Sequence, residues 1–591
     1  MRLFCLLLIA PIAFSAPQKG KNNGHAAALR AAQAPEDALK LAADDRDAYL
    51  ALAAFGTYLK QGGDPAADIT KVARVARRRD FDDRAALLLA SYAHQKVVDA
   101  LVGKNDELAA SILAIAALKD YLVAERRADP IGADAEIDRH HLQGKGQSRG
   151  KKGKGKGSAR AATIPEKLFG SRDPVAVSQA ILAAAYRKDS SHADTIKAVS
   201  AKSAEVMGAK ILYQAMTEGN LNAGMVASAM KSMTRPRTAI PSNRPTLSYP
   251  TAKVPGICSV LEAIAVAGDE SMLTLPLDGL KVRDIRVKIE AVRAMRALGS
   301  VKYLPILVKE LPSAEWPLAT EICKTMSAIP HTGVIPSLIK RLDKEKGRLR
   351  QDIVHCLSTI AGKQEASTAK EWADWWRKNQ RSFKVDEPAS AAYRSSTRIQ
   401  DVDIDGNGFF YGLILYSDRM SYVVDSSASM RGGRIENLTE NMSASVEQLK
   451  SHVKFNIVDF GGDLNVMYDG ALTSDKRKAI ETIEDFVLSL GTRSYDGMEA
   501  ALHLQGVDTL FFLSDGAPIR GQIDHWEQIR SAMILMGRYR PVAVSAIDFD
   551  PSAGNQAHMF GMATENVGSH DSVEVGGGGA AKKKKPPKKK R

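Results

Sequence analysis

The chain is poor in the features that mark several functional classes. It has four cysteines in 591 residues, none in a CxxC pair, which excludes a disulfide scaffold or a zinc ribbon. Cys5 lies at the extreme N-terminus, and Cys258, Cys323 and Cys356 fall in helix-patterned apolar stretches, where buried thiols are expected. Aromatic residues make up only 6% while alanine is abundant, which favours packed helices over all-β architecture for much of the length. After the first residues no apolar run approaches the roughly 20 needed to span a bilayer. Neither GxxxxGK[ST] nor HExxH occurs, so a P-loop nucleotide site and a zincin metalloprotease are excluded.

Basic charge is plentiful but localised. The formal net charge is +14, yet residues 145–160 carry seven cations and no acids, and residues 582–591 carry seven Lys and one Arg with no acids. Those fifteen cations exceed the net charge, so the remainder of the chain is close to neutral. That pattern describes two solvated basic tethers rather than a nucleic-acid-binding fold, and no specific nucleic acid is expected as a partner.

At this length two to four domains are expected. Residues 1–15 read as a signal peptide: Arg2, an apolar run through Phe14, and Ala13-Phe14-Ser15 as a small-x-small cleavage site. The expectation is a secreted, periplasmic or cell-surface protein with no transmembrane segment after cleavage. Residues 16–140 have a helical pattern, and residues 141–163 form a Gly/Lys linker that cannot bury apolar surface.

Residues 164–381 contain a repeat of 31. Ile322, Cys323, Met326 and Ile329 share one helical face, and stepping 31 residues gives Ala291, Val292, Met295 and Leu298 on one side and Ile353, Val354, Leu357 and Ile360 on the other. Paired amphipathic helices at a fixed period predict an all-α solenoid, similar to HEAT repeats. Trp372, Trp375 and Trp376 lie at i, i+3 and i+4, as in a helix that caps the last repeat. Residues 382–409 read as a linker. Asp401, Asp403, Asp405 and Gly406 begin like a calcium loop, but Gly412 stands where the closing bidentate Glu belongs.

From about Phe410 to Val575 the period changes. Buried strands at Ser421–Val424, Val453–Phe460, Thr509–Leu513 and Val542–Ile547 alternate with helical stretches. This predicts an α/β, doubly wound, Rossmann-like domain with a mostly parallel sheet, in which ligands bind at the carboxyl ends of strands. Three loops at such ends carry oxygen donors: Asp425, Ser427 and Ser429 after the first strand, Thr492 before a helix, and Asp515 after a third strand. Two carboxylates and three hydroxyls suit Mg²⁺, with Ca²⁺ or Mn²⁺ as alternatives.

These five residues fill the DxSxS…T…D pattern of the metal-ion-dependent adhesion site (MIDAS), and residues 410–575 resemble a von Willebrand factor type A (VWA) domain. The sequence departs from the family at Ala428, usually Gly, and at Leu490, which replaces the first Gly of a common Gly-Gly-Thr. The resemblance implies that the serines ligate the ion directly, Thr492 directly or through water, and the aspartates partly through water. It further implies a non-enzymatic adhesion or interaction protein that binds an acidic residue of a partner protein through the ion. An accessory subunit of a cell-envelope enzyme or assembly complex is the alternative, and a metal-dependent hydrolase is a further one. Residues 576–591, a Gly spacer and Lys-rich tail, suit an anionic polymer or membrane surface, or serve only as a solubilising tail.

Overall fold

The computed structural model describes residues 25–78, 84–92, 95–127, 163–234, 253–468, 470–549 and 553–574. The residues read as a signal peptide, most of the Gly/Lys stretch and the Lys-rich tail lie outside the described residues. No described helix is long and apolar enough to cross a membrane.

The first region comprises α1 (His25–Ala31), α2 (Pro35–Asp44), α3 (Ala48–Lys60), α4 (Ile69–Ala76), α5 (Arg84–Tyr92), α6 (Gln95–Leu101) and α7 (Asp106–Arg127). The second runs through α8 (Pro174–Arg187), α9 (Ala193–Ala198), α10 (Ala204–Glu218), α11 (Ala223–Thr234), α12 (Val254–Ala267) and α13 (Leu275–Leu280). It continues with α14 (Ile285–Leu298), α15 (Leu304–Glu310), α16 (Trp316–Ala328), α17 (Ile335–Lys344), α18 (Leu349–Ala361), α19 (Ala369–Asn379) and α20 (Glu387–Ser396).

Longer helices stack in sequence: α5 on α7, α7 on α8, then α8, α10, α12, α14, α16, α18 and α20. The stack therefore passes without a break across the basic linker, and α20 adds one more helix inside the stretch read as a linker. The sequence explains α20, since Asp386 caps it by accepting from the Ala389 amide and Pro388 sits in its first turn. Trp372 is fully buried, and Trp375 and Trp376 pack against Phe383, so the tryptophan face closes the end of the paired helices. All three described cysteines are buried free thiols.

Two glycines bring α10 and α12 together backbone to backbone. A Cβ on Gly208 would lie 2.4 Å from the Gly256 carbonyl oxygen, and one on Gly256 would lie 2.2 Å from that of Ala204. Gly256→Ala gains up to about 1 kcal/mol of helix propensity, but rigid backbone must move to admit the methyl. A net loss of about 1–3 kcal/mol is expected in urea unfolding; an unchanged or higher midpoint would contradict this close packing.

The C-terminal region holds a small hairpin, β1 (Phe409–Phe410) and β2 (Leu413–Ile414), followed by β3 (Arg419–Asp425), α21 (Arg434–Gln448), β4 (Lys454–Phe460) and β5 (Leu464–Val466). Then come α22 (Lys476–Glu484), α23 (Ser494–Leu502), β6 (Thr509–Ser514), α24 (Trp526–Met536), β7 (Ala543–Phe549), α25 (Ala553–Glu565) and β8 (His570–Val573). The sheet order is β5-β4-β3-β6-β7-β8, all parallel except β5. The fold is thus all-α followed by α/β, as the period change implied.

Side chains alternate between the two faces of the sheet. Tyr422, Val424, Phe511, Leu513 and Ile547 form one core with Leu438, Met442 and Val446 of α21. Val423, Val458, Phe512 and Ala546 face α23 and α24, and this second core runs on into the helical stack. The contact is built, not incidental. Gly56 of α3 leaves room for the Gln522 carbonyl, which a Cβ would approach to 2.4 Å. Lys60 donates to the Gly521 carbonyl at 2.7 Å and pairs with Asp524 at 3.1 Å. On another side, Arg348 donates its amide to Asp508, which also takes Arg419 and the Ser417 hydroxyl.

Candidate metal centre

The chain leaves β3 toward β4 on one side and leaves β6 toward β7 on the other, so the sheet order reverses between β3 and β6. Such a switch point opens a crevice at the carboxyl ends of the two strands, because their connections part to opposite faces. Asp425 is the last residue of β3 and Ser514 the last of β6. A 3₁₀ turn at Ala428–Met430 then carries the backbone to α21. Ala428 is not among the described non-glycine residues with positive φ, so this loop does not require the family's usual glycine. Gly491 does need its freedom: its φ is +125° and a Cβ would meet the Arg520 side chain at 2.6 Å.

Four of the five expected residues form one hydrogen-bonded chain. Asp425 Oδ1 accepts from the Ser427 amide at 2.7 Å. The Ser427 and Ser429 hydroxyls lie 2.8 Å apart, and Ser429 Oγ donates to Asp515 Oδ1 at 2.7 Å. Thr492 sits on the neighbouring loop. Ser489 docks that loop against the motif by donating its amide to the Ser426 carbonyl, and the Thr492 carbonyl accepts from the amides of Ile519 and Arg520, just beyond Asp515. Asp425, Ser427 and Thr492 are buried, while Ser429 is exposed at the mouth.

Negative charge accumulates here with little to oppose it. Burial, with Asp515 close by, pushes the Asp425 carboxyl up to about 7 even though Ser427 and Ser514 hydrogen-bond it. Arg434 lies 3.6 Å from Asp515 Oδ2 at the rim. Asp548, paired in register with Ser514 on β7, adds a third acid. Its Oδ1 accepts from Asn555 at 2.7 Å, but its fully buried Oδ2 has no hydrogen-bond partner. Buried charge of this kind is costly unless a cation or donor meets it. Hard oxygen donors around such a concentration fit a divalent cation, to be held by Asp425, Ser427, Ser429, Thr492 and Asp515.

Residues 420–517 match the family model for the von Willebrand factor type A domain, a span that takes in all five residues. These residues form a VWA domain. Among solved structures, a crystal structure of the SpRpn10 VWA domain matches at 16% identity, covering 27% of this chain and 88% of that one, with a TM-score of 0.22. No curated protein matches the chain.

Several residues that serve this VWA site escape the motif. Ser514 Oγ donates to Asp425 Oδ2 at 2.6 Å and so fixes its second oxygen. Asp459 accepts from Ser426 Oγ and from Asn465, each at 3.1 Å, and burial pushes it up to about 6. Asp548 follows the apolar run Val542–Ile547 near the end of β7, much as Asp425 follows one at the end of β3, a pattern that marks it in the sequence. Arg493, next to Thr492, is fully buried. It donates to Asp496 at 2.7 Å, to His25 Nδ1 at 3.1 Å and to the Tyr49 carbonyl, so α1 and α3 help to hold the Thr492 loop. His503 is half-buried and bonded to the Glu499 carbonyl, and desolvation with the neighbouring Arg84 lowers its pKa to about 4.

Proposed function

We propose that the VWA domain holds a divalent cation, Mg²⁺ first among the choices, as an intact MIDAS, and binds an acidic residue of a partner protein through it. The observation that carries this reading is the chain from Asp425 through Ser427 and Ser429 to Asp515, closed over the switch point of the sheet. A bound divalent cation supplies an open coordination position for a carboxylate. The residues supply the rest: Ser514 and the Ser427 amide orient Asp425, and Arg434 donates to the Ser429 carbonyl at 2.8 Å, steadying the exposed serine.

The stacked helices, HEAT-like in pattern, act as the scaffold that presents this site. The protein works outside the cytoplasm after removal of residues 1–15, and its Lys-rich tail rests on an anionic surface. The role is binding, not catalysis.

Capture of proteins from the native cell envelope tests the reading. A partner held in Mg²⁺ should be released by EDTA and should not be retained by the Asp425→Ala variant. A partner whose retention ignores both treatments refutes carboxylate binding through the ion.

A further inference from the structure

Single exposed apolar side chains are ordinary on a protein surface, but here they gather at the metal centre. Val487 and Ile519 are the two most exposed large apolar side chains among the described residues, at 76% and 66%, and Leu490 is 52% exposed. Their positions follow from hydrogen bonds already described. Leu490 follows Ser489, which docks on the DxSxS loop, and Ile519 donates its amide to the Thr492 carbonyl at 3.2 Å. Leu490 and Ile519 therefore flank Thr492, with Val487 farther out along the same loop.

The charged groups of the rim are mainly cationic. Arg434 borders Asp515, and the Arg520 side chain lies over Gly491. Arg30 of α1 is exposed and close enough to Arg520 that, after burial, its charge helps to lower the Arg520 pKa. Exposed Glu484 and Asp485 lie only at the outer end, before Val487.

We propose that this rim is a docking surface for an acidic segment of a partner protein in which an aliphatic or aromatic side chain stands beside the metal-seeking carboxylate. The inference rests on the metal reading above and narrows it. The carboxylate meets the ion, the adjacent apolar side chain covers Leu490 and Ile519, and Arg434 and Arg520 favour acidic over basic neighbours by charge complementarity. Leu490, a departure from the family's glycine, becomes a contact residue.

Fluorescence anisotropy with labelled heptapeptides tests this. The peptides carry one glutamate between two leucines, one glutamate between two serines, or one glutamine between two leucines. In Mg²⁺ the leucine-flanked glutamate should bind about tenfold more tightly than the serine-flanked one, as expected for covering two leucine side chains in part. The double variant Leu490→Ser, Ile519→Ser should bring that ratio close to one, with its melting temperature unchanged because both side chains are exposed. Equal binding of the two glutamate peptides by the wild type, an unaltered ratio in the double variant, or no binding by any peptide overturns the docking surface. If glutamate binding stays sensitive to EDTA while the flanks make no difference, the metal reading survives and this inference alone fails. If glutamine and EDTA make no difference either, both fail. Mn²⁺ calorimetry on the protein alone judges the metal reading separately.

Discussion

Asp425→Asn is expected to weaken Mn²⁺ and Mg²⁺ binding on the order of a hundredfold in titration calorimetry, without lowering the stability of the metal-free protein. The change is nearly isosteric, so Oδ1 can still accept from the Ser427 amide, and the amide nitrogen can donate to Ser514 Oγ in place of the present bond. What is lost is charge. The Asp425 carboxyl is raised to about 7 in the folded protein from an ordinary value of 3.8, chiefly by burial, with Asp515 adding to it. A raised acid binds more protons folded than unfolded, so the metal-free wild type should lose stability as pH rises from about 4 to about 7 and level off above. Asn removes Asp425's share of that loss.

Protons and the cation compete for the same carboxylate, so wild-type metal affinity should climb between pH 6 and pH 8. Asp548→Asn provides a graded comparison. It keeps one oxygen near the site but removes a charge that only supports it, and about a tenfold loss of affinity is expected. Calorimetry at pH 6 and pH 8, with thermal unfolding in EDTA, checks all of this. Unchanged affinity in Asp425→Asn would place any bound cation elsewhere.

The parts of the site that were legible in the sequence are those written in short spacings. Asp425, Ser427 and Ser429 alternate within five residues, Asp515 directly follows an apolar strand, and the strands themselves are apolar runs because both faces of a parallel sheet are covered. The 31-residue period was legible for the same reason: each helical pair buries one face against the next, so the pattern must recur.

The rest depends on pairs far apart in the chain. Arg493 reads as a solvated charge beside Thr492, yet it is fully buried because His25 and Tyr49 arrive from α1 and α3. The α20 helix was signalled by Asp386 and Pro388 but is only ten residues long with one buried residue, so no apolar period betrays it. Strand β8, with four half-buried residues, has no apolar alternation at all. Its place in the sheet comes from pairing with β7.

Arg538→Ala is expected to cost about 3–5 kcal/mol of unfolding free energy, because it leaves the largely buried Glu262 carboxylate without its cation and takes one of two cations, Arg538 and Arg293, from the buried Glu290. Arg538 follows α24 of the C-terminal sheet region, and its guanidinium reaches Glu262 of α12 at 2.9 Å and Glu290 of α14 at 3.0 Å. Its own carbonyl accepts from Arg293 at 2.6 Å, so the link between sheet domain and helical stack runs in both directions. Glu262 also takes the Tyr186 hydroxyl at 2.9 Å. Without the guanidinium, Glu262 and Glu290 would repel across the seam, and Glu262, already raised by burial, would rise further.

Glu262, raised by burial, can be neutralised by a proton, whereas Arg293 still holds the Glu290 carboxyl below the usual range, so the defect should be larger at pH 8 than at pH 5 through Glu262. Adding Glu262→Gln and Glu290→Gln should recover most of the loss, since a neutral seam of similar shape carries no stranded charge. Chemical denaturation at the two pH values gives the comparison. If the single variant unfolds at the wild-type midpoint, the VWA domain is merely tethered to the stack. A loss reversed by the two glutamines shows instead that the buried ion network locks the sheet region in place, so the candidate metal centre faces a fixed direction relative to the stacked helices.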